Sequence, residues 1–555
     1  MSGFAEVVII DASLRSLDRS FTYEIPSELG ALGPGRLVRV PFHGRLRNGV
    51  IVANSDSSEV RTKPIRAVLG PGIPPEMLSF CRDLSEQTLA PYASALAACF
   101  IDRTKAEEDR APEPGGEVTP AEPATGPLAD ALAKADLVLY APEPGVDRAR
   151  QIAASVAQVL ADGGTCIVVT PQADPQSRTA LAVRDACGDQ VAWLGSDLSP
   201  RMRYRQWLRV RHGAARVASG GRGAVLAPMP TVDLIVVDDE AHPALREGRA
   251  PRYDTVRAAT LRVEANQGKV VAIGVPPSLE RRVGAHPKAG RWTLATASGA
   301  LPKVRVTDPG TLIPDGPTIS GLKDAKDRIL VLLHRGQVAG SVAERMSRVL
   351  GRPALVIDGS SEPARLAEAR RPDGASLIIA SPVVAEDHHI DRVSDLVILE
   401  ADAALSDPGY RTAEEVFATW WRVLHACTPR RVIIESRLRE NAAVKALIAT
   451  DPDVLIRHEA KLRDSLGYPP YRTLVRIDVP SEAAARLEED LGELPEPTEV
   501  VGPLSQGDGA LAYLIRGDRR TLRTLRPVVS AWSRDGISAR IEVDPLDILE
   551  HRWRS

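Results

Sequence analysis

Cysteine is scarce in this sequence, and no two cysteines lie close together. The chain has five in 555 residues: Cys81, Cys99, Cys166, Cys187 and Cys427. A zinc ribbon needs C-x-x-C pairs, and a disulfide framework needs a denser, regularly spaced set. We therefore expect reduced thiols in a cytosolic protein, without zinc.

Long apolar runs are also missing. No run approaches the roughly 20 residues that a membrane-spanning helix needs. The N-terminal stretch MSGFAEVVIIDASLRSLDRS has no charged block followed by a long apolar block, as a signal peptide would. We therefore expect a cytoplasmic protein, nucleoid-associated if it binds DNA, that makes no contact with a membrane.

A strong charge of either sign is absent. The chain carries 70 Lys and Arg against 73 Asp and Glu, a net charge of −3, so no overall field marks a polyanionic partner. Its 44% hydrophobic content is that of an ordinary globular protein, and about 150 residues per domain predicts three or four domains. Most of the cations are arginine, which suits bidentate phosphate contact, although a GC-rich genome would give the same bias.

The strand and helix patterns predict a small mainly-β domain at the N-terminus, over residues 1–102. The runs VVII, FTYEI, RLVRVPF and NGVIVAN are β-prone and are separated by Pro, Gly and Asp, and a helical pattern follows Pro74. Residues 103–127 are rich in Pro, Glu and Gly and have no apolar periodicity. We expect them to form a flexible linker.

Residues 128–300 and 301–440 alternate short apolar strands with helices. The strands are LVLYA, TCIVVTP, QVAWLG, DLIVVDDE and KVVAIGV in the first part, and RILVLLH, PALVIDG, SLIIASP, DLVILEAD and RRVIIES in the second. This alternation predicts an α/β fold with two tandem doubly wound parallel sheets. Residues 441–555 mix helices with the runs LVRIDV, LAYLIRG and ISARIEV, which predicts a small α+β domain.

One strand of the first sheet ends in acids. In VDLIVVDDEAHPAL (232–245), an apolar run leads directly into Asp238, Asp239 and Glu240, and His242 follows. A buried parallel strand delivers such residues to the carboxyl edge of its sheet. In motor ATPases, acids at this position hold Mg²⁺ and polarise the attacking water. These four residues are therefore catalytic candidates if a phosphate-binding loop lies nearby.

A basic segment precedes this strand. Residues 198–232 contain no acid, and Tyr204 and Trp207 lie among the arginines. Phosphate neutralisation combined with base stacking favours single-stranded or forked nucleic acid as the ligand. The alternative is a solvated helical face in an arginine-rich protein. The arginines of the segment are Arg201, Arg203, Arg205, Arg209, Arg211, Arg216 and Arg222.

Several segments, in this order, resemble the PriA family of primosomal replication-restart proteins, particularly its shortened actinobacterial form. They are LDRSFTYEIP, PGRLVRVPFHGRLRNGVIV, LGSDLSPRMRYRQW, ASGGRGAVLAP, APRYDTVRAA, LLHRG, DAALSDPGYRTAEEVF, LGYPPYRTLVRI and ISARIEVDPLDIL. Together they extend over nearly the whole chain. The resemblance implies an N-terminal domain that captures the 3′ end of a nascent strand, followed by two RecA-like helicase lobes.

The resemblance also implies a 3′-end pocket made by Phe21, Thr22, His43 and Arg66. Phe21 would stack on the terminal base and Arg66 would meet phosphate. The family usually has aspartate where Thr22 lies and glycine where His43 lies, so recognition of a 3′-hydroxyl need not survive here. Phe21 is equally interpretable as a core residue.

The chain departs from the family at its nucleotide-binding motifs. A phosphate-binding loop needs free backbone N–H groups and a lysine, but LVLYA is followed by PEPGVDR, with two prolines, two acids and no lysine. WWRVLHACTPRR stands in place of the family's last helicase motif, and the zinc insertion and the winged-helix segment are missing. We therefore expect no resident cofactor, with ATP and Mg²⁺ only if the degenerate site still binds them. The acids after the strand would be relics that cap the following helix, and no metal is expected at His388 and His389.

The preferred hypothesis is a helicase-fold protein that recognises stalled or abandoned replication forks and helps to reload the replicative helicase within the primosome, without helicase activity of its own. The implied partners are forked and single-stranded DNA, single-strand-binding protein, and the replicative helicase or its loader. Two alternatives stay open: an active ATP-dependent 3′–5′ DNA helicase, and a scaffold that does not bind DNA.

Overall fold

The computed structural model describes most of the chain. The described residues are 3–58, 61–110, 115–116, 118, 123–171, 174–264, 266–285, 291–310, 314, 316–334, 338–358, 361, 363–371, 373–382, 390, 392–505 and 509–548. Their strands form four sheets, which follow one another along the chain.

The N-terminal sheet has the strand order β5-β2-β1-β4-β3-β6, and only the β2–β5 pair is parallel. One face, with Val7 and Val38, forms its own core, and the other, with Val8 and Val50, packs towards the helices and the next sheet. Its elements are β1 (Gly3–Ile9), β2 (Ser20–Ile25), β3 (Leu37–Phe42), β4 (Arg45–Ser55), β5 (Lys63–Pro64), β6 (Ala67–Val68), α1 (Met77–Thr88) and α2 (Tyr92–Ala98).

The second sheet, lobe 1, is parallel throughout and has the order β13-β7-β12-β11-β8-β10-β9. Alternate residues of its strands, such as Val168 and Val169, enter cores on opposite faces of the sheet. The elements of this part are α3 (Lys105–Glu108), α4 (Pro127–Leu132), β7 (Leu137–Pro142), α5 (Arg148–Ala161), β8 (Cys166–Val169), α6 (Arg178–Cys187), β9 (Val191–Trp193), α7 (Pro200–Arg211), β10 (Val217–Gly220), β11 (Leu234–Val237), α8 (Thr255–Glu264), β12 (Lys269–Ile273), α9 (Leu279–Gly284) and β13 (Thr293–Ala297).

The third sheet, lobe 2, is also parallel and has the order β14-β19-β18-β15-β17-β16. Trp420 and Trp421 of α14 lie in its core, almost fully buried. Its elements are β14 (Lys303–Thr307), α10 (Gly316–Lys323), β15 (Arg328–Leu332), α11 (Ala339–Leu350), β16 (Ala354–Ile357), α12 (Pro363–Arg370), β17 (Leu377–Ala380), β18 (Val393–Ile398), α13 (Ala401–Leu405), α14 (Thr412–Cys427), β19 (Arg431–Glu435) and α15 (Ala442–Ala449).

The C-terminal part is an antiparallel sheet of order β21-β22-β20-β23 covered by helices. The LGYPPY turn connects its first helix to its first strand. The elements are α16 (Pro452–Leu466), β20 (Thr473–Pro480), α17 (Ala484–Gly492), β21 (Glu499–Ser505), β22 (Ala510–Gly517), α18 (Arg520–Arg534) and β23 (Arg540–Val543).

The predicted fold class is confirmed: a mainly-β N-terminal part, two doubly wound parallel lobes and an α+β C-terminal part follow one another. The sequence patterns did not predict β5, β6, β10, β13, β14 and β21. β10 is the sequence VASG, fully buried between β8 and β9, and such small residues give no apolar run. No helix in the described ranges is both long and apolar enough to cross a membrane.

The predicted linker makes specific contacts where it is described. Glu107 is buried and accepts a hydrogen bond from Arg201 Nε at 2.6 Å. The backbone carbonyl of Gly116 accepts from Gln190 Nε2, also at 2.6 Å. These parts of residues 103–127 are docked on lobe 1, because their backbone and acidic side chains find partners there.

Candidate functional site

The acids after β11 lie at the carboxyl edge of the lobe 1 sheet, where lobe 2 faces it. Asp238, Asp239 and Glu240 are all buried, and Asp239 adopts a left-handed backbone conformation with φ of 51°. Burying three carboxylates is costly unless each finds hydrogen-bond donors or counter-charges. The protein supplies these itself.

Asp238 is held by two side chains of lobe 1. Its carboxylate accepts from Arg148 Nε at 2.9 Å and from Thr179 Oγ1 at 2.6 Å. Arg148 is the first residue of α5, at the end of the segment that follows β7. The Arg148 guanidinium therefore forms an ion pair with Asp238 at the position where the family resemblance predicts a phosphate-binding loop.

Asp239 is held from the other lobe. Arg422 of α14 donates from Nε at 2.6 Å and from Nη2 at 3.2 Å, a two-pronged ion pair. The two side chains are 10% and 8% exposed. This buried pair joins lobe 1 to lobe 2 through the second acid.

Glu240 and His242 are both shifted towards their neutral forms. Glu240 accepts from Ser278 N at 2.6 Å and Oγ at 3.0 Å, and burial raises its pKa to about 7. His242 Nδ1 accepts from the backbone N–H of Ala244 at 3.1 Å, and burial lowers its pKa to about 4. His242 is therefore neutral near pH 7, and Glu240 is a mixture of both forms.

The expectation that the three acids cap the following helix was wrong. Asp238 and Asp239 are bound to arginine and threonine side chains, and Glu240 is bound to Ser278, the residue that caps the N-terminus of the more distant α9. His242 is the residue that caps the short turn after the strand. The three acids bind these distant donors instead of the backbone N–H groups of the following helix, because the fold brings the donors within hydrogen-bonding distance.

The two carboxylates in the segment between β7 and α5 already have hydrogen-bond partners within the protein. Asp147 caps α5 by accepting from Arg150 N at 3.2 Å, and it lies 3.4 Å from Arg178. Glu143 accepts from the backbone N–H of Gly299 at 2.8 Å. The positive end of α5, which would attract an anion, therefore already faces a protein carboxylate.

A second group of buried charges lies beside the acids and was not predicted. Glu280 of α9 forms ion pairs with Arg411, which precedes α14, and with Arg463 of α16. Arg463 also forms an ion pair with Glu414. The two arginines keep the pKa of Glu280 at about 2 despite its burial. Arg411 lies in the GYRTAEEVF segment, but its burial and its partner come from other parts of the chain.

The aromatic residues of the basic segment face inward. Tyr204 and Trp207 of α7 are each 4% exposed. Trp207 Nε1 donates to the carbonyl of Cys99 at 3.3 Å, and the Tyr204 hydroxyl donates to Glu108. In this arrangement the rings pack α7 against the N-terminal part, and neither presents a face to solvent for base stacking.

The predicted basic set does not form a single surface. Arg201 pairs with Glu107, Arg209 donates to backbone carbonyls including Val191, and Arg211 donates to the carbonyls of Pro71 and Gly72. Arg205 is half-buried. Arg203 and Arg222 line a separate groove, and Arg222 is bound to Glu247 at 3.0 Å.

The residues of the predicted 3′-end pocket divide into two groups. Phe21 lies edge-on to Phe42 at 4.9 Å between ring centroids, and Phe42 contacts His43 at 4.4 Å. His43 is exposed, and its φ of 45° is a conformation that glycine adopts without strain. Thr22 instead donates to Glu6 on the adjacent strand β1 at 2.6 Å.

Arg66 is exposed, and its backbone N–H donates to the carbonyl of Arg39 at 2.8 Å. Its guanidinium therefore remains accessible to a ligand. Within the described ranges no group of three His, Cys, Asp or Glu side chains could hold a metal ion. His388 and His389 lie outside those ranges.

Comparison with known proteins confirms the predicted resemblance. Residues 7–100 match the family model described as the 3′ DNA-binding domain (3′BD) of PriA. The chain is 25% identical to the probable replication restart protein PriA of Mycobacterium tuberculosis (strain CDC 1551 / Oshkosh), over 97% of this chain and 100% of that protein. It is 20% identical to the replication restart protein PriA of Bacillus subtilis (strain 168), over 60% of this chain and 52% of that protein.

Among solved structures, S. cerevisiae Dbp5 bound to RNA and ADP BeF3 aligns with a TM-score of 0.38 and 12% identity, over 57% of this chain and 83% of that chain. The chain is thus related to replication restart proteins along its length and carries their 3′ DNA-binding domain.

Proposed function

We propose that this protein binds stalled or abandoned replication forks and helps to reload the replicative helicase, without hydrolysing ATP. The observation that carries the proposal is that residues 7–100 match a 3′ DNA-binding domain. The chain also aligns over 97% of its length with a probable replication restart protein. The proteins expected to act with it are single-strand-binding protein and the replicative helicase or its loader, at the nucleoid in the cytoplasm.

The contacts of the acids support the absence of ATP hydrolysis. Mg²⁺ in such enzymes is held jointly by carboxylates and nucleotide phosphates, but Asp238 is bound to Arg148 and Asp239 to Arg422. The helix end that would face phosphate is capped by Asp147. These residues do not fit a Mg²⁺-bound nucleotide, so we assign them a structural role.

The N-terminal part offers a site for a strand end. The Phe21–Phe42 pair and His43 provide aromatic surface for the terminal base, and Arg66 provides an exposed charge for phosphate. Because Thr22 is bonded to Glu6, a carboxylate stands next to the position that holds aspartate in the family. We propose that this pocket recognises the 3′ end of a nascent strand.

Fork binding is tested by fluorescence anisotropy on a model fork and on a linear duplex of equal length, at two salt concentrations. We expect tighter binding to the fork, and weaker fork binding when the leading-strand 3′ end is phosphorylated. Phe21→Ala should remove the effect of the 3′ phosphate because it removes the stacking surface. Equal and steeply salt-dependent binding to every DNA would reduce the interaction to nonspecific phosphate contact, and no binding would favour the scaffold alternative.

ATP hydrolysis is tested directly with saturating fork DNA and Mg²⁺. We expect no DNA-stimulated phosphate release above the buffer background, because the two acids are ion-paired within the protein. Asp238→Ala is the control, and we expect it to leave this background unchanged. Stimulated hydrolysis that Asp238→Ala abolishes would instead establish an active helicase.

A further inference from the structure

A cavity of about 210 Å³ lies where lobe 1, lobe 2 and the C-terminal part meet. Lobe 1 contributes residues 276–279, in the segment that leads into α9, lobe 2 contributes residues of α14, and the C-terminal part contributes residues of α16. The acids after β11, residues 238–240, do not line it. We call it the three-part cavity.

The walls of the three-part cavity are mainly apolar. An apolar cavity of about 150 Å³ can hold benzene, so this cavity has room for an apolar group of about six to ten heavy atoms. A strongly hydrated ligand would lose its water here without finding enough polar partners. The apolar wall residues include Pro276, Leu279, Phe417, Leu455, Ile456 and Leu546.

Most of the charged groups on these walls are already bound by other parts of the protein. Glu415 is half-buried and interacts within the protein. Three other charged wall residues form ion pairs with residues that do not line the cavity, and so they add little charge to it. These pairs are Arg422–Asp239, Arg411–Glu280 and Glu414–Arg463.

Glu459 of α16 is the exception among the charged wall residues. It is 5% exposed, and its carboxylate has no hydrogen-bond donor or ion-pair partner in the part of the chain that the structure describes. Its oxygens still have accessible surface in the cavity, unlike the Nε of Arg463, which is completely enclosed. Burial raises the pKa of Glu459. A buried carboxylate without a partner costs free energy that a donor on a ligand would recover.

The geometry points to the three-part cavity as a binding site for a small primary amine with an apolar body, whose ammonium group pairs with Glu459. The ammonium group supplies hydrogen-bond donors together with the positive charge that the carboxylate lacks. The apolar body occupies the space between Pro276, Leu279 and Phe417. This site is independent of fork binding and of ATP hydrolysis.

The probe for the test is phenethylamine, titrated against the full-length protein and followed by ligand-observed NMR. Phenethyl alcohol and phenylpropionate are the comparison ligands, because they have similar apolar bodies and carry a neutral or a negative group instead. We expect saturable binding of the amine, about tenfold tighter than that of the alcohol, as for one charge-assisted hydrogen bond. The carboxylate of phenylpropionate would meet Glu459 with like charge, so we expect no measurable binding.

Two variants test the residues of the cavity. Glu459→Gln keeps the shape of the side chain and removes its charge, and it should weaken phenethylamine binding about tenfold or more. Ala418→Leu enlarges a wall residue of α14 and should also weaken binding, because it fills part of the cavity. Asp464→Asn is the matched control, since it removes an exposed carboxylate of α16 that does not line the cavity. It should bind phenethylamine like wild type.

A second measurement locates the ligand. With saturating phenethylamine, hydrogen exchange should slow at the backbone amides of residues 276–279, α14 and α16, because a ligand bound to all three parts stabilises their contacts. The N-terminal sheet does not line the cavity, so its amides should exchange at their usual rate.

Several outcomes would overturn the assignment. It is wrong if wild-type protein does not bind phenethylamine, or if phenylpropionate binds as tightly as the amine. It is also wrong if Glu459→Gln or Ala418→Leu binds phenethylamine like wild type. None of these results changes the fork-binding measurement, so failure of this site and failure of the proposed function can be told apart.

Discussion

Arg422→Ala is expected to weaken the contact between the two lobes by about 3–5 kcal/mol, because removing one partner of a buried ion pair leaves the other charge uncompensated. Arg422 and Asp239 are 10% and 8% exposed and share two hydrogen bonds across the lobe interface. The variant leaves the Asp239 carboxylate buried beside α14 with its principal counter-charge gone.

The measurement is hydrogen exchange of the backbone amides of α14 and of the residues after β11. The chain has several domains, so local opening is better defined than one global unfolding free energy. Each 1.4 kcal/mol is a factor of ten, so protection should fall by about two to four orders of magnitude at these amides. Amides of the N-terminal sheet should keep their protection.

Two further variants decide the cause. Arg439→Ala removes an exposed ion pair with Asp308 in lobe 2, and such pairs contribute only about 0–1 kcal/mol. In the double variant Arg422→Ala/Asp239→Asn the orphan charge is gone, so protection should recover in part. If Arg422→Ala behaves like Arg439→Ala, the pair does not hold the lobes together.

The Arg422–Asp239 ion pair affects movement of the two lobes relative to each other. Nucleotide-driven motors move their lobes because ATP binds between them and is then hydrolysed. Here Arg148–Asp238, within lobe 1, and Arg422–Asp239, between the lobes, occupy that position with protein charges alone. Such contacts favour one fixed arrangement of the two lobes.

Glu240→Gln is expected to stabilise the protein at alkaline pH, by about 3 kcal/mol above pH 8. Burial raises the pKa of Glu240 from 4.5 to about 7, and each unit corresponds to about 1.4 kcal/mol. The folded state therefore holds this proton more tightly than the unfolded state. The stability that Glu240 contributes is complete below pH 4.5 and is lost as the pH rises through about 7. Glutamine keeps an acceptor for Ser278 and carries no charge to bury.

Thermal unfolding of wild type and Glu240→Gln from pH 5 to pH 8.5 tests this prediction. The two midpoints should be close at pH 5 and should separate as the pH rises, with the variant higher. Equal midpoints across the range would mean that Glu240 stays ionised in the folded protein and that Arg281, 3.9 Å away, compensates it fully.

Glu280→Gln is the matched control with the opposite sign. The pKa of Glu280 is lowered from 4.5 to about 2 by Arg411 and Arg463. Its contribution is therefore present above pH 4.5 and is lost as the pH falls towards 2. We expect Glu280→Gln to destabilise the protein throughout the range from pH 5 to pH 8.5, with little dependence on pH.

Much of the architecture could be read from the sequence because it depends on local patterns. The apolar runs LVLYA, DLIVVDDE and RILVLLH became β7, β11 and β15, since a strand buried on both faces must be apolar along its length. β10 was missed because its residues, VASG, are small, and only its position between β8 and β9 makes it a strand. The order of motifs also identified the relation to replication restart proteins.

The candidate site could be predicted only in part. That acids lie at the carboxyl edge of lobe 1 followed from the sequence. The partners did not follow, because Arg422 is 183 residues from Asp239 and Arg148 is 90 residues from Asp238. The basic segment shows the same limit, since its residues form one run in sequence but face different neighbours in space.

By itself, then, the sequence determined the strands that have long apolar runs, the order of the parts of the fold, and the residue types at the sheet edge. Only the tertiary structure decided which arginines form internal ion pairs, as Arg422 does with Asp239, and which remain exposed, as Arg66 does. The physical reason is that periodicity and composition act over a few residues. The burial of a charge and the identity of its counter-charge depend on which distant segments the fold brings within about 3 Å.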